Sequence, residues 1–433
     1  MNTRPVARVC RRLFASLLAV VVCTVGLAAE QNPPPDSTIP RSSRIRPFQP
    51  DRFTKTFQGT REDLKRRALD EAEKFHREDP KLPDALLTAI QREVDRNRTG
   101  ESLRRATALY CRLDQPDLTR QQVELIRSSN LLVAFTAADV LSSREIHDAL
   151  GPIVALRDRP EYRAGYAYRH AVVTVVGRFQ DGAAVDFLIE EVERNHGQLR
   201  FEAGRLLTQL TGGDAGGRPE EWKRWWKDRR SQFDFAQIDK AAVTARLKDP
   251  LPWTDVLPVF FGAPVYAQRV VFVIDRSKSM ASSVNEVTRL DEAVAELERA
   301  LQALPADAWF NVLGYNHVVE NFQPRLVPAT PENKSLALRY AHALYADDRT
   351  AIYDALETAL LVDDNLEAVY FLSDGEPTAG QVLSPVEIAH QITQMNAPRR
   401  TAIYTLGIDA TGQYAQLLVE LAKSNFGAFI PLR

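Results

Sequence analysis

Residues 269–280, Arg269-Val-Val-Phe-Val-Ile-Asp-Arg-Ser-Lys-Ser-Met280, constrain this chain more than any other stretch. Val270 to Ile274 are apolar without a break, which predicts a strand buried on both faces, as in a parallel sheet. The run stops at Asp275, and Ser277 and Ser279 follow, alternating with Arg276 and Lys278. A carboxylate and two hydroxyls therefore stand where a buried strand gives way to a helix. In open α/β sheets that edge is where ligands bind. A donor set made only of oxygen suits a hard divalent cation such as Mg²⁺, with Mn²⁺ or Ca²⁺ as alternatives.

The remainder of the C-terminal part agrees with such a sheet. Apolar segments at 309–315, 368–372, 402–408 and 428–431 alternate with helical patterns at 290–304, 332–345, 352–361, 385–395 and 414–424. An edge hairpin is expected within 318–327, and a short edge strand or hairpin within 257–266. Alternation of this kind predicts an α/β doubly wound (Rossmann-like) domain over 257–433. Two further polar residues fall at the ends of its elements. Asp374 follows the strand ending at Leu372, within Ser373-Asp-Gly-Glu-Pro-Thr378, and Thr350 precedes a helix. Alone, Asp-Gly is a common turn and Thr350 an ordinary N-cap. It is their order and placement together with Asp275, Ser277 and Ser279 that point to a site.

That set, Asp275-x-Ser277-x-Ser279 with Thr350 and Asp374, resembles the metal-ion-dependent adhesion site of von Willebrand factor type A domains. Val271 to Met280, Phe310-Asn-Val-Leu-Gly-Tyr-Asn316, Ile352-Tyr-Asp-Ala-Leu356 and Phe371-Leu-Ser-Asp-Gly-Glu-Pro377 are similar to stretches of the branch that includes inter-alpha-trypsin inhibitor heavy chains. The resemblance implies that Ser277, Ser279 and Thr350 approach a metal with their hydroxyls. It implies that Asp275 and Asp374 hold ordered waters and balance charge, and that a partner's carboxylate completes the coordination. Neutral hydroxyl ligands leave Mg²⁺ electrophilic, and a helix starting near Ser279 would add a positive dipole end. The sequence departs from the family where glycines are usual: Lys278 lies between the serines, and Asp348 and Arg349 precede Thr350. Asn316 is a further candidate for the rim of the site, or a turn residue.

With 433 residues, the chain is too long for one core. Arg4, Arg8, Arg11 and Arg12 precede an apolar run, Leu13 to Ala29, closed by small residues. This is the pattern of a secretory signal peptide over 1–29. The expected location is outside the cytoplasm, that is periplasmic, cell-envelope or secreted, with membrane association only if the leader is retained. Residues 30–60, rich in Pro, Ser, Arg and Gln, read as a disordered linker. From 61 to 235 the periodicity is helical, with blocks recurring about every thirty residues. It resembles a divergent HEAT-type repeat array, an all-α domain closed by Glu221-Trp-Lys-Arg-Trp-Trp-Lys227. There Trp222, Trp225 and Trp226 share a face and are expected to cap the last repeat. Residues 236–256 form a linker that carries helical character from Ala236 to Leu247.

Charge and cysteines narrow the function. Basic and acidic residues number 55 and 57, which gives no sign of nucleic-acid binding. Of 3 cysteines, Cys10 and Cys23 fall in the leader, and Cys111 has no partner within the mature chain. The expected function is an exported, non-enzymatic binding or adhesion protein. It would recognise, with a divalent metal, an acidic group on a protein or on an extracellular or envelope matrix ligand. A metal-independent assembly scaffold is the alternative. Mg²⁺-dependent phosphoryl transfer from Asp275 is disfavoured, because the second acid expected two residues on is Ser277.

Overall fold

Strand β3 (Arg269–Asp275) lies at the centre of the C-terminal sheet, and every residue of it after Arg269 is buried. In this computed structural model, which describes residues 47–248, 251–253, 256–284 and 286–432, the chain forms two compact units. One runs to Leu156 and the other begins at Arg157. The leader expected over 1–29 and the first part of the 30–60 linker lie outside the described residues. The rest of that linker holds a helix, α1 (Pro50–Thr56).

The first unit is helical. After α1 come α2 (Glu62–Phe75), α3 (Leu82–Asp95), α4 (Glu101–Arg112), α5 (Thr119–Glu124), α6 (Leu131–Ser143) and α7 (Leu150–Val154). Helix α6 starts where Asn130 accepts hydrogen bonds from the backbone N–H groups of Leu132 and Val133. Between α2 and α3, the fully buried Lys65 pairs with Glu93 at 2.9 Å and also reaches Glu62 at 3.0 Å, so the buried cation is not orphaned. Cys111 is wholly buried and its thiol is pushed up to about 12 by that burial, which makes it an inert core residue.

The second unit joins further helices to the sheet. They are α8 (Pro160–Ala164), α9 (Tyr166–Val176), α10 (Gly182–Arg194), α11 (Gly197–Thr211), α12 (Pro219–Lys227) and α13 (Lys240–Arg246). Trp222 and Trp226 of α12 are buried, and their indole N–H groups donate to Gly216 O at 2.8 Å and Asp186 Oδ1 at 2.7 Å. Trp225 stacks on Trp226 under Arg229.

The strands follow, beginning with a hairpin of β1 (Val259–Phe260) and β2 (Ala263–Pro264) that pairs only with itself. After β3 come a second hairpin, β4 (Ser283–Val284) and β5 (Val287–Thr288), then α14 (Arg289–Ala303) and β6 (Trp309–Tyr315). Next are β7 (Val319–Asn321), β8 (Val327–Pro328), α15 (Pro331–His342), α16 (Ile352–Leu361), β9 (Ala368–Ser373) and α17 (Pro385–Asn396). The domain closes with β10 (Ala402–Ile408), α18 (Gly412–Ser424) and β11 (Phe429–Leu432). The main sheet runs β11-β10-β9-β3-β6-β7, with β8 also paired to β6. Strands β11, β10, β9, β3 and β6 are mutually parallel, whereas β7 and β8 pair antiparallel to β6. The sheet is thus mixed at one edge.

The pleat explains the unbroken apolar run of β3. Val270, Phe272 and Ile274 pack on one face with Leu290, Val294 and Leu297 of α14, while Val271 and Val273 pack on the other with α16, α17 and α18. Both faces are covered by helices, as expected of a doubly wound domain.

The helices of this unit meet the end of the sheet where β3 and β9 begin. Glu367, just before β9, is buried and accepts from the N–H groups of Gln198, in the first turn of α11, at 3.1 Å and of Gln268 at 3.0 Å. Gly197 has φ of +62°, and a Cβ there would lie 2.5 Å from Glu367 Oε2, so only glycine fits. Gln198 also bonds the Tyr404 hydroxyl, Arg400 Nε donates to His170 Nδ1 at 2.8 Å, and Phe201 stacks on Tyr266.

Candidate metal centre

The residues expected to form the site lie at the opposite, carboxyl end of the strands. The chain leaves β3 for β6 on one side and later returns to β9 on the other, so the crevice beside β3 is a topological switch point. Asp275 ends β3 wholly buried. Its Oδ1 accepts from the Ser277 N–H at 2.8 Å, and its Oδ2 from the hydroxyls of Ser373 at 2.6 Å and Tyr315 at 3.1 Å. Tyr315 is directly opposite Asp275 in the β3–β6 register, and Ser373 ends β9, so both donors are placed by the sheet itself. Burial pushes the Asp275 carboxyl up to about 6, against the lowering effect of the Ser373 and Ser277 hydrogen bonds.

The hydroxyls gather above it. Ser277 Oγ and Ser279 Oγ are 3.1 Å apart, and the Ser279 hydroxyl reaches Asp374 Oδ1 at 2.6 Å. A Cβ built on Gly375 would lie 3.7 Å from Ser279 Oγ and 3.8 Å from Thr350 Oγ1, so these two hydroxyls flank the same point. The structure thus brings Asp275, Ser277, Ser279, Thr350 and Asp374 together. Neighbouring ligands of an octahedral Mg²⁺ at about 2.0–2.1 Å stand about 2.9 Å apart. The serine oxygens are close to that spacing. Ser279, by giving its proton to Asp374, keeps its lone pairs for another contact. The donor set therefore fits a small hard cation. Among the described residues no group of three or more His, Cys, Asp and Glu could hold a metal. The candidate has two carboxylates, and hydroxyls complete it.

Backbone ties fix the loop that carries Thr350. The Lys278 N–H donates to Asp348 O at 2.9 Å and the Asp347 N–H to Arg276 O at 3.0 Å. The Thr350 N–H donates to Thr378 Oγ1 at 2.9 Å, while Thr350 O accepts from Thr378 and Ala379. Thr350 is therefore not an N-cap: Ala351 holds that position and α16 begins at Ile352. Asn316 is buried and makes the turn, accepting from the Val318 N–H and donating to Asp347 O.

Two expectations need correction or completion. The helix expected near Ser279 is a single 3₁₀ turn, Lys278–Ala281, and α14 starts only at Arg289, after the β4–β5 hairpin. Thr288 and Asp291 form a capping box there, which sets the start of α14 ten residues beyond Ser279. No helix dipole of useful length thus begins at Ser279. The side chains of Lys278 and Arg349 are exposed, and Arg349 Nε lies 3.4 Å from Asp348 Oδ1. Asp348, at φ +60°, also pairs with His317 at 2.9 Å.

Ser373, Tyr315, Thr378 and Arg289 are additions that spacing did not reveal. Ser373 adjoins Asp374 in a segment already singled out, and Tyr315 ends a recognised strand. For Arg289 the sequence holds no signal. Its Nη1 donates to Asp374 Oδ2 at 2.9 Å and its Nη2 pairs with Asp409.

Residues 270–376 match the family model of the von Willebrand factor type A domain. With the sheet order and two-faced core above, the C-terminal domain is a von Willebrand factor type A domain. Over 177 residues the chain is 29% identical to inter-alpha-trypsin inhibitor heavy chain H4 of Homo sapiens, covering 38% of this chain and 18% of the relative. Heavy chain H6 of Homo sapiens is 28% identical over 180 residues, covering 38% and 13%. The match thus spans less than a fifth of either curated relative. Among solved structures, a von Willebrand factor type A protein from Catenulispora acidiphila is similar, at 19% identity and a TM-score of 0.32, over 39% of this chain and 40% of that one.

Proposed function

We propose that this chain is an exported binding protein whose type A domain grips a carboxylate on a protein or matrix partner through a divalent cation, Mg²⁺ first. The observation that carries this is the convergence of two carboxylates and three hydroxyls at the switch point, with the serine oxygens at 3.1 Å. Ser277, Ser279 and Thr350 would face the cation, and Asp275 and Asp374 would balance its charge through hydrogen bonds. A bound Mg²⁺ would supply an electrophilic position open to an external oxygen. The chain's own residues do the rest. Ser373 and Tyr315 fix Asp275, and Thr378 fixes the Thr350 backbone. Lys278 and Arg349, exposed at the rim, favour an acidic partner. The leader supports export, and no helix among the described residues is long and apolar enough to cross a membrane. The likeness to inter-alpha-trypsin inhibitor heavy chains supports a protein-interaction role.

Phosphoryl transfer is disfavoured, since Asp275 is wholly buried with its oxygens occupied by three donors, a poor nucleophile. Metal-independent assembly is the second reading, favoured by the fact that both carboxylates already have partners from the chain. Calorimetry of Mg²⁺ binding to the full chain separates the two. Micromolar to millimolar binding is expected in the native chain and none in Asp275→Asn with an unchanged circular dichroism spectrum. Heat release that is the same in both would sink the proposal.

A further inference from the structure

Arg289 stands out because it places a full positive charge against one of the two candidate site carboxylates. The Asp374 side chain is completely inaccessible to solvent, and its two oxygens are both occupied: Oδ1 by the Ser279 hydroxyl and Oδ2 by Arg289 Nη1. The guanidinium is itself held from outside by Asp409, whose φ is +49° and whose N–H is fixed to Leu432 O at 3.0 Å. Arg289 thus links three strand-end segments, those after β3, β9 and β10. Asp409 is 58% exposed, so water screens its charge, whereas the Arg289–Asp374 contact is sheltered. A serine hydroxyl can rotate to admit a cation, but an arginine cannot lose its proton.

We propose that Arg289 is a built-in counter-cation that sets the metal affinity of this centre low, so that the cation is held firmly only when an anionic partner adds its own charge. This rests on the metal reading above and deepens it. Two carboxylates would neutralise a divalent ion among neutral hydroxyls. With the Arg289 charge at 2.9 Å from one of them, the centre is left positive, and an external carboxylate restores the balance. The residue acts through Asp374, as a positioning and charge-setting residue.

The two possible roles of Arg289 predict opposite signs. If it only braces the loops, removing it loosens the site and weakens cation binding. If it competes, removing it tightens binding. Calorimetry of Mg²⁺ with the full chain is therefore run on the native protein, Arg289→Gln and Arg289→Lys. Arg289→Gln is expected to bind about tenfold more tightly. Arg289→Lys, which keeps the charge, is expected to stay within about threefold of the native chain. A cation-free thermal midpoint that falls in Arg289→Gln and recovers on Mg²⁺ addition gives a second readout. Native binding with equal or weaker binding in Arg289→Gln overturns this inference and leaves the metal reading intact. Tighter binding in Arg289→Lys equal to that in Arg289→Gln overturns it too, because charge would not be the cause. Absence of binding in all three overturns the metal reading and this inference with it.

Discussion

At the scale of single residues, the candidate centre is a network of hydroxyls aimed at two carboxylates. Ser373 carries more of it than its bland position suggests, since its 2.6 Å bond is the shortest that Asp275 accepts. Ser373→Ala would leave a fully buried carboxylate with one donor fewer. A loss of about 1–3 kcal/mol is expected in denaturant unfolding, and Ser373→Thr should recover part of it. Retained stability in Ser373→Ala would show that the Tyr315 hydroxyl and the Ser277 N–H suffice. The placement of Asp275, Ser277, Ser279, Thr350 and Asp374 at the ends of elements was legible from sequence, because each follows or precedes a recognisable element. Arg289 was not. It is brought to Asp374 by the β4–β5 hairpin, and strands of two residues are too short to leave a periodic trace.

At the scale of elements, β3 was legible because burial on both faces demands an unbroken apolar run. The helices that cover it were legible from their 3.6-residue period. What the pattern misplaced was the junction after Ser279, where a 3₁₀ turn and a hairpin intervene before α14. The first turn of α11 holds a second element-scale feature. Gly197 sits in left-handed backbone against Glu367, and no sequence rule distinguishes it from the other glycines. Gly197→Ala combines backbone strain with a steric conflict against a carboxylate oxygen. It should destabilise the second unit by about 2–4 kcal/mol, read by thermal or urea unfolding. A change within about 0.5 kcal/mol would mean that Glu367 moves aside freely.

At the scale of the whole second unit, buried carboxylates make stability depend on pH. Burial pushes Glu367 up to about 7, although the Gln268 and Gln198 N–H groups lower it. The folded chain then holds a proton where the unfolded chain has already released it. Stability is therefore greatest below about 4.5 for this group and declines as pH rises towards about 7, by up to about 3 kcal/mol. Asp275 acts in the same direction up to about 6 in the cation-free chain. Glu367→Gln should flatten the upper part of that decline in unfolding midpoints measured from pH 4.5 to 7.5. An unchanged slope would place the titration elsewhere.

The placement of helices at one end of β3 and the candidate centre at the other has a mechanical consequence. A load entering at the candidate centre just beyond Asp275 and leaving through the helices near Arg269 would run along the strand. Seven residues of β3 pair with β6 and four with β9, all in parallel register. Such a pull meets those ladders in shear, where the hydrogen bonds must rupture together, and not one after another as in peeling. The strand that presents the centre is thus also the one best placed to bear tension.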